Sequence, residues 1–238
     1  MNYRYWLLCC LMACVACTSR PYTVINKGVG GNTTSDLLAR VEKDVIALKP
    51  DLVVMMAGTN DMVNSQKLVP YAQYAMQYRQ LVRRIRQGGA TVVLMTSLPV
   101  DTGYLFLRHQ RGLYDVAPNR RIDSARVIVQ EIAASEQVYC LDLHHLFVSR
   151  GEPGRTAASM MVNAANMGRE DGVHPTAAGY RFMAAELYAW LKAHRLLRRH
   201  HRILCFGDSI TYGAFMDGAG TDSGDTYPAA LKRLLNHH

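Results

Sequence analysis

Five short runs of this 238-residue chain are apolar on both of their alternating faces, and stretches with helical periodicity separate them. The run at 52–56 reads Leu-Val-Val-Met-Met and that at 203–206 reads Ile-Leu-Cys-Phe; the others fall at 23–26, 91–95 and 138–141. A strand with no polar face has no side to turn to water, so each run predicts a strand covered by a layer on both sides. The stretch 35–48 places Leu37, Leu38, Val41, Val45 and Leu48 on one helical face, and 71–86, 119–134, 177–193 and 227–235 repeat the pattern. Strands that alternate with helices pair in parallel, so the expectation is an α/β fold with a five-stranded parallel sheet covered on both faces.

Local punctuation agrees with this division. Thr33 or Thr34 can cap the first helix, Gly88-Gly89 ends the second, and Pro50 and Pro99 flank strand boundaries. Two longer irregular stretches, 100–118 and 149–170, exceed ordinary connections and point to function or mobility. The length suits one hydrophobic core, so residues 18–238 are expected to form a single domain. With 49% hydrophobic and 19% charged residues the composition excludes a disordered chain.

Residues 1–17 carry Arg4, an apolar stretch from Trp6 to Val15 and small residues before a cysteine, the pattern of an export signal. The stretch is too short to span a bilayer. Cys14-Val15-Ala16-Cys17 is similar to a lipoprotein processing site with lipid attached to Cys17, and Cys14 offers a competing frame. The chain is therefore expected at a bacterial cell envelope, held to the membrane through an N-terminal lipid anchor. Four of the six cysteines lie in this segment, so the six do not form a disulfide framework; Cys140 and Cys205 read as buried strand residues. The net charge of +8 is partly local, in the basic stretch 194–201 and Arg202. No nucleic-acid motif or interleaved aromatic accompanies it, so no nucleic-acid partner is expected.

Chemistry concentrates where predicted elements end. Ser209 follows the run 203–206 on a tight turn, and His174 stands three residues after Asp171 in Asp171-Gly172-Val173-His174-Pro175. A serine hydroxyl, an imidazole to take its proton and a carboxylate to orient the ring are the parts of a nucleophilic acyl-transfer site. Such a reaction also needs donors for a developing oxyanion: the backbone N–H groups of Ser209 and Gly31, and the side-chain amide of Asn60, which donates without titrating. The expected catalytic set is Ser209, His174 and Asp171, with Ser209, Gly31 and Asn60 as the oxyanion hole and no metal or organic cofactor.

Four blocks, Gly207-Asp208-Ser209-Ile210, Gly31 before Asn32-Thr33, Gly58-Thr59-Asn60-Asp61 and Asp171 to Pro175, together resemble the SGNH, or GDSL-type, esterase and lipase family over residues 22–238. The resemblance implies a flavodoxin-like three-layer α/β/α sandwich with strand order 2-1-3-4-5 in the family's counting. It implies a serine ester hydrolase working through an acyl-enzyme, with short-chain or carbohydrate O-acetyl esters as first choice. Lysophospholipase, thioesterase or O-acyltransferase activity is the alternative, and a noncatalytic cell-envelope binding protein the alternative of another class. In the family the serine block comes first, whereas here it comes last. The resemblance thus implies a circular permutation in which 194–201 links the family's original ends.

Other readings of the same residues are weaker. Gly28-Val29-Gly30-Gly31 half-resembles a dinucleotide fingerprint but lacks the third glycine and the later acidic residue. The His144-His145 pair has no metal-binding motif around it, and Gly-x-Ser-x-Gly is absent. Tyr212 and Phe215 read as packing residues close enough to Ser209 to wall an acyl pocket.

Overall fold

The structure, a computed structural model, describes residues 21–197 and 202–237. The segment 1–17 with Cys17, and residues 198–201 of the basic stretch before Arg202, lie outside the described residues. Five strands, β1 (Thr23–Gly28), β2 (Leu52–Met56), β3 (Thr91–Met95), β4 (Tyr139–Leu141) and β5 (Arg202–Gly207), form one parallel sheet in the order β1-β5-β2-β3-β4. The last strand in the chain therefore sits near the middle, with Val24 opposite Ile203 on one side and Val54 opposite Cys205 on the other. When β5 is counted first, this is the 2-1-3-4-5 order expected from the resemblance.

The absence of alternation in the strands now has a physical cause. Val53 and Met55 point into one core with Leu204 and Phe206, while Leu52, Val54 and Met56 point into a second core with Ile203 and Cys205. The first core is closed by α1 (Thr34–Asp44), α3 (Tyr71–Gln87) and α5 (Pro118–Ser135) through Leu37, Val41, Tyr78, Leu81 and Val129. The second is closed by α8 (Ala177–Ala193) and α10 (Tyr227–Asn236) through Tyr180, Leu187, Leu191, Tyr227 and Leu231. Each fully buried aliphatic or aromatic side chain of this kind contributes roughly 1.5–3 kcal/mol.

Short helices begin just beyond strand ends: α2 (Thr59–Val63) after β2, α6 (Leu143–Val148) after β4 and α9 (Ser209–Tyr212) after β5, with α4 (Thr102–Leu105) and α7 (Ala164–Met167) in the two long connections. The first long helix is shorter than expected, ending at Asp44 before a 3₁₀ turn over Ile46–Leu48, because Val45 leaves the helical region and Lys49 is left-handed. Cys205 is buried as expected; Cys140, on the edge strand, is only half-buried, and both thiols are free.

α10 docks against α8 and β1. Its end lies beside the start of β1: the Tyr22 N–H donates to Asn236 Oδ1 at 2.8 Å, and Asn236 Nδ2 donates to the Tyr22 carbonyl at 3.0 Å. Among the described residues no helix is long and apolar enough to cross a membrane.

Candidate active site

The turn that carries Ser209 is fixed by what surrounds it. A Cβ on Gly207 would stand 2.3 Å from Thr211 Oγ1 and 2.4 Å from the Met56 carbonyl, so β5 can pass so close to β2 and α9 only with glycine there. Asp208 caps α9, its Oδ1 accepting from the Ile210 N–H at 2.9 Å. Its other oxygen is buried without a partner, and burial pushes the carboxyl up to about 6 despite that hydrogen bond.

Asp171 and His174 arrive on a loop held like a strand. The Gly172 N–H donates to Val162, the Val162 N–H to His174 and the Thr176 N–H to Met160. Gly172 has φ +66, and a Cβ there would lie 2.6 Å from Asp101 Cβ, so this turn also requires glycine. The loop brings His174 Nε2 to 2.9 Å from Ser209 Oγ, and His174 Nδ1 to 2.9 and 3.1 Å from the two Asp171 oxygens. With the Nδ1 proton donated to the carboxylate, Nε2 is left to accept from the serine hydroxyl.

Burial opposes ionisation of Asp171. The hydrogen bond from the His174 ring, the charge that ring carries once protonated, and the backbone N–H groups of His174 and Val173 outweigh burial and hold the carboxyl at about 2. Arg108 braces the same group: Nη2 lies 2.8 Å from the Asp171 carbonyl and 3.3 Å from Oδ2, and Nη1 donates to the Glu170 carbonyl at 2.9 Å.

Asn60, on the first turn of α2, is presented by Gly58, whose φ of +128 a side chain would strain. Its Nδ2 donates one hydrogen to the Asn32 carbonyl at 3.1 Å, which leaves one. Ser209, as the first residue of α9, has a backbone N–H with no intrahelical acceptor. Gly31 stands next to Asn32 with φ +74 but outside the lining of the cleft, and its carbonyl receives Lys67 Nζ at 2.9 Å.

The structure thus gathers Ser209, His174, Asp171 and Asn60 around one cleft of about 500 Å³, whose lining does not include Gly31. Both long connections contribute walls, Leu105, Arg108 and His109 from one and Arg169 and Glu170 from the other. Phe215 forms part of the rim rather than packing inside, its ring edge-on to His174 at 5.2 Å and under the Arg169 guanidinium at 4.9 Å. Arg108 and Arg169 were not legible as site residues, because no spacing ties them to the blocks. His144 instead meets the Ser97 carbonyl and Asp123, and no cluster of three metal-ligating side chains occurs among the described residues.

The profile of the GDSL-like lipase/acylhydrolase family matches residues 11–182, stopping short of β5 and Ser209. An acetylxylan esterase of Geobacillus stearothermophilus is 30% identical over 168 residues, covering 68% of each chain. An acetyl-xylooligosaccharide esterase structure from the same organism superposes with a TM-score of 0.54 at 28% identity, covering 68% of this chain and 69% of that one. Catalytic mutants of an acetylxylan esterase from that organism replace a serine, an aspartate and a histidine, the last two at the spacing of Asp171 and His174, but there the serine precedes both. An uncharacterized lipoprotein of Bacillus subtilis is 27% identical over 101 residues, covering 39% of this chain and 42% of its own.

Proposed function

The chain belongs to the GDSL-like lipase/acylhydrolase family and is a carboxylic ester hydrolase; from that premise we propose that it cleaves short-chain or carbohydrate O-acetyl esters through an acyl-enzyme on Ser209. The observation that carries this reading is His174, which bridges Ser209 Oγ and the Asp171 carboxylate with both ring nitrogens at 2.9 Å.

As the Ser209 oxygen bonds to the ester carbonyl carbon, His174 Nε2 takes the hydroxyl proton, and Asp171 stabilises the imidazolium. The carbonyl oxygen becomes an oxyanion held by the Ser209 N–H and the free hydrogen of Asn60 Nδ2. Each such donor is worth about 2.7–4 kcal/mol to the transition state. Collapse breaks the bond to the alcohol, which leaves with the proton from His174. Water then repeats the sequence, releasing the acid and restoring Ser209.

A short acyl group suits the cleft. Its apolar lining is confined to Val63, Leu105, Val173 and Phe215, while Asn64, Arg108, His109, Arg169 and Glu170 offer hydrogen bonds to a hydroxylated leaving group. Export with a lipid on Cys17 is part of the same proposal, supported by the signal-like segment and the lipoprotein relative. So is the circular permutation: α10 ends against Tyr22, where the family's chain would run on, and the family profile stops before β5.

The test is covalent labelling by a fluorophosphonate, together with hydrolysis of esters of increasing acyl length. Labelling lost in Ser209→Ala, with acetyl esters turned over fastest, is the expected result. A Ser209→Ala enzyme that keeps its activity would refute the mechanism, and a preference for long acyl chains would move the substrate to lysophospholipids.

A further inference from the structure

One side chain outside the cleft joins the loops that build it. Arg40 lies in the middle of α1, and a helical side chain reaches back over the turn before its own Cα, here toward the carboxyl ends of β1 and β5. Its Nε donates to Asn32 Oδ1 at 2.7 Å. Nη1 donates to the Lys27 carbonyl at 3.1 Å and to Asp44 Oδ2 at 3.0 Å, and Nη2 to the Lys27 carbonyl at 3.1 Å and the Gly207 carbonyl at 2.9 Å. All five guanidinium hydrogens are thereby used, and the face of the group rests 4.6 Å from the Phe206 ring centre.

Two of those acceptors, Asn32 and Gly207, come from segments that lead to different parts of the site. Gly207 is two residues before Ser209, and its carbonyl also receives the Val29 N–H at 3.1 Å. Asn32 follows Gly31, and its own carbonyl orients the Asn60 amide. An ion pair with Asp44 alone would require neither contact. A lysine could not replace the fork, since an ammonium has three hydrogens radiating from one point.

We propose that Arg40 is a positioning residue of the ester-hydrolysing site, holding Asn32, and through it the Asn60 amide, in register with the turn that presents Ser209. It touches no reacting atom. Its contribution is the distance between the oxyanion donors and the nucleophile, where an error near 1 Å can cost about 100-fold in rate.

The inference rests on the mechanism proposed above, and one set of variants separates the two. Arg40→Lys, Asn60→Ala and their combination are compared by kcat and KM on a short-chain acyl ester, with active sites counted by fluorophosphonate titration. Arg40→Lys should lower kcat per active site by about 10- to 100-fold with KM changed less than about 3-fold. In the Asn60→Ala background the same change should cost less than about 3-fold, because the amide it positions is gone. Asn32→Ala, which removes the Nε acceptor and keeps the Asn32 carbonyl, should show the same coupling to Asn60→Ala even if the Arg40 variants fold poorly. Fully additive losses, or an Arg40→Lys effect confined to the number of titratable sites, would overturn the inference while leaving the mechanism standing. An active Ser209→Ala enzyme would instead remove the mechanism on which it rests.

Discussion

Replacing Asp208 with asparagine should stabilise the protein increasingly as pH rises. The carboxyl is fully buried, one of its oxygens has no partner, and burial moves it from an ordinary 3.8 to about 6. Between those two values the folded protein keeps a proton that the unfolded chain has released, so stability falls as pH rises through the window. At 1.36 kcal/mol per pKa unit the loss is about 3 kcal/mol, complete above pH 6 and absent below 3.8. Asparagine retains the Oδ1 acceptor for Ile210 and cannot ionise. Its amide in place of the orphaned oxygen adds a constant cost of about 1–3 kcal/mol, which cancels when pH values are compared. His174, whose charge when present lowers Asp208, and Asp61, whose charge raises it, are present in both proteins. Urea unfolding followed by circular dichroism, in steps from about pH 3.5 to about 7.5, should show the difference between variant and parent widening by about 3 kcal/mol in favour of the variant. Parallel curves, or a parent that gains on the variant, would refute the reasoning.

Asp171 has the opposite sign: its carboxyl is held at about 2, so it stabilises the fold above pH 3.8 and loses that contribution as pH falls through 2. The parent's advantage over Asp171→Asn should therefore be present at neutral pH and shrink as pH falls toward 2, read by the same unfolding curves, and the variant should lower kcat more than KM. Gly28→Ala should cost several kcal/mol and most of the activity, since a Cβ there would lie 2.0 Å from the Tyr212 N; an unchanged melting temperature would contradict this close packing. A chain that joins residue 237 to Tyr22 by a short Gly/Ser linker and opens near residue 200 should fold and hydrolyse esters. An unfolded product would speak against the permutation.

The strands at 52–56 and 91–95 match the sequence-based expectation residue for residue, and those at 23–26, 138–141 and 203–206 differ only at their ends. Burial on both faces leaves that mark in β2, β3 and β5, where nearly every position is buried, and more weakly in the edge strands β1 and β4, which keep exposed positions. The short helices after β2, β4 and β5 were not anticipated, being too brief to show a 3.6-residue period. The serine, histidine, aspartate and asparagine blocks were legible because their chemistry depends on side-chain type. Arg40 and Arg108 were not, since most of what they bind is backbone carbonyl, which is the same whatever the sequence. The fold alone brings those carbonyls within reach.

The central place of β5 also governs when the enzyme can come into being. Thr23 pairs with Arg202 and Leu52 with Ile203, so both ladders of β5 close loops of about 150 residues or more. A growing chain that has already formed β2-β3-β4 still has β1 separated from it by an unfilled slot. The facing edges of β1 and β2 expose hydrogen-bonding groups meant for a strand not yet synthesised. Contacts of such range form slowly, and open edges favour association with other chains in the meantime. The strand that fills the slot leads directly into Ser209, so nucleophile and sheet are completed in one late step, and no shorter nascent chain holds an assembled site.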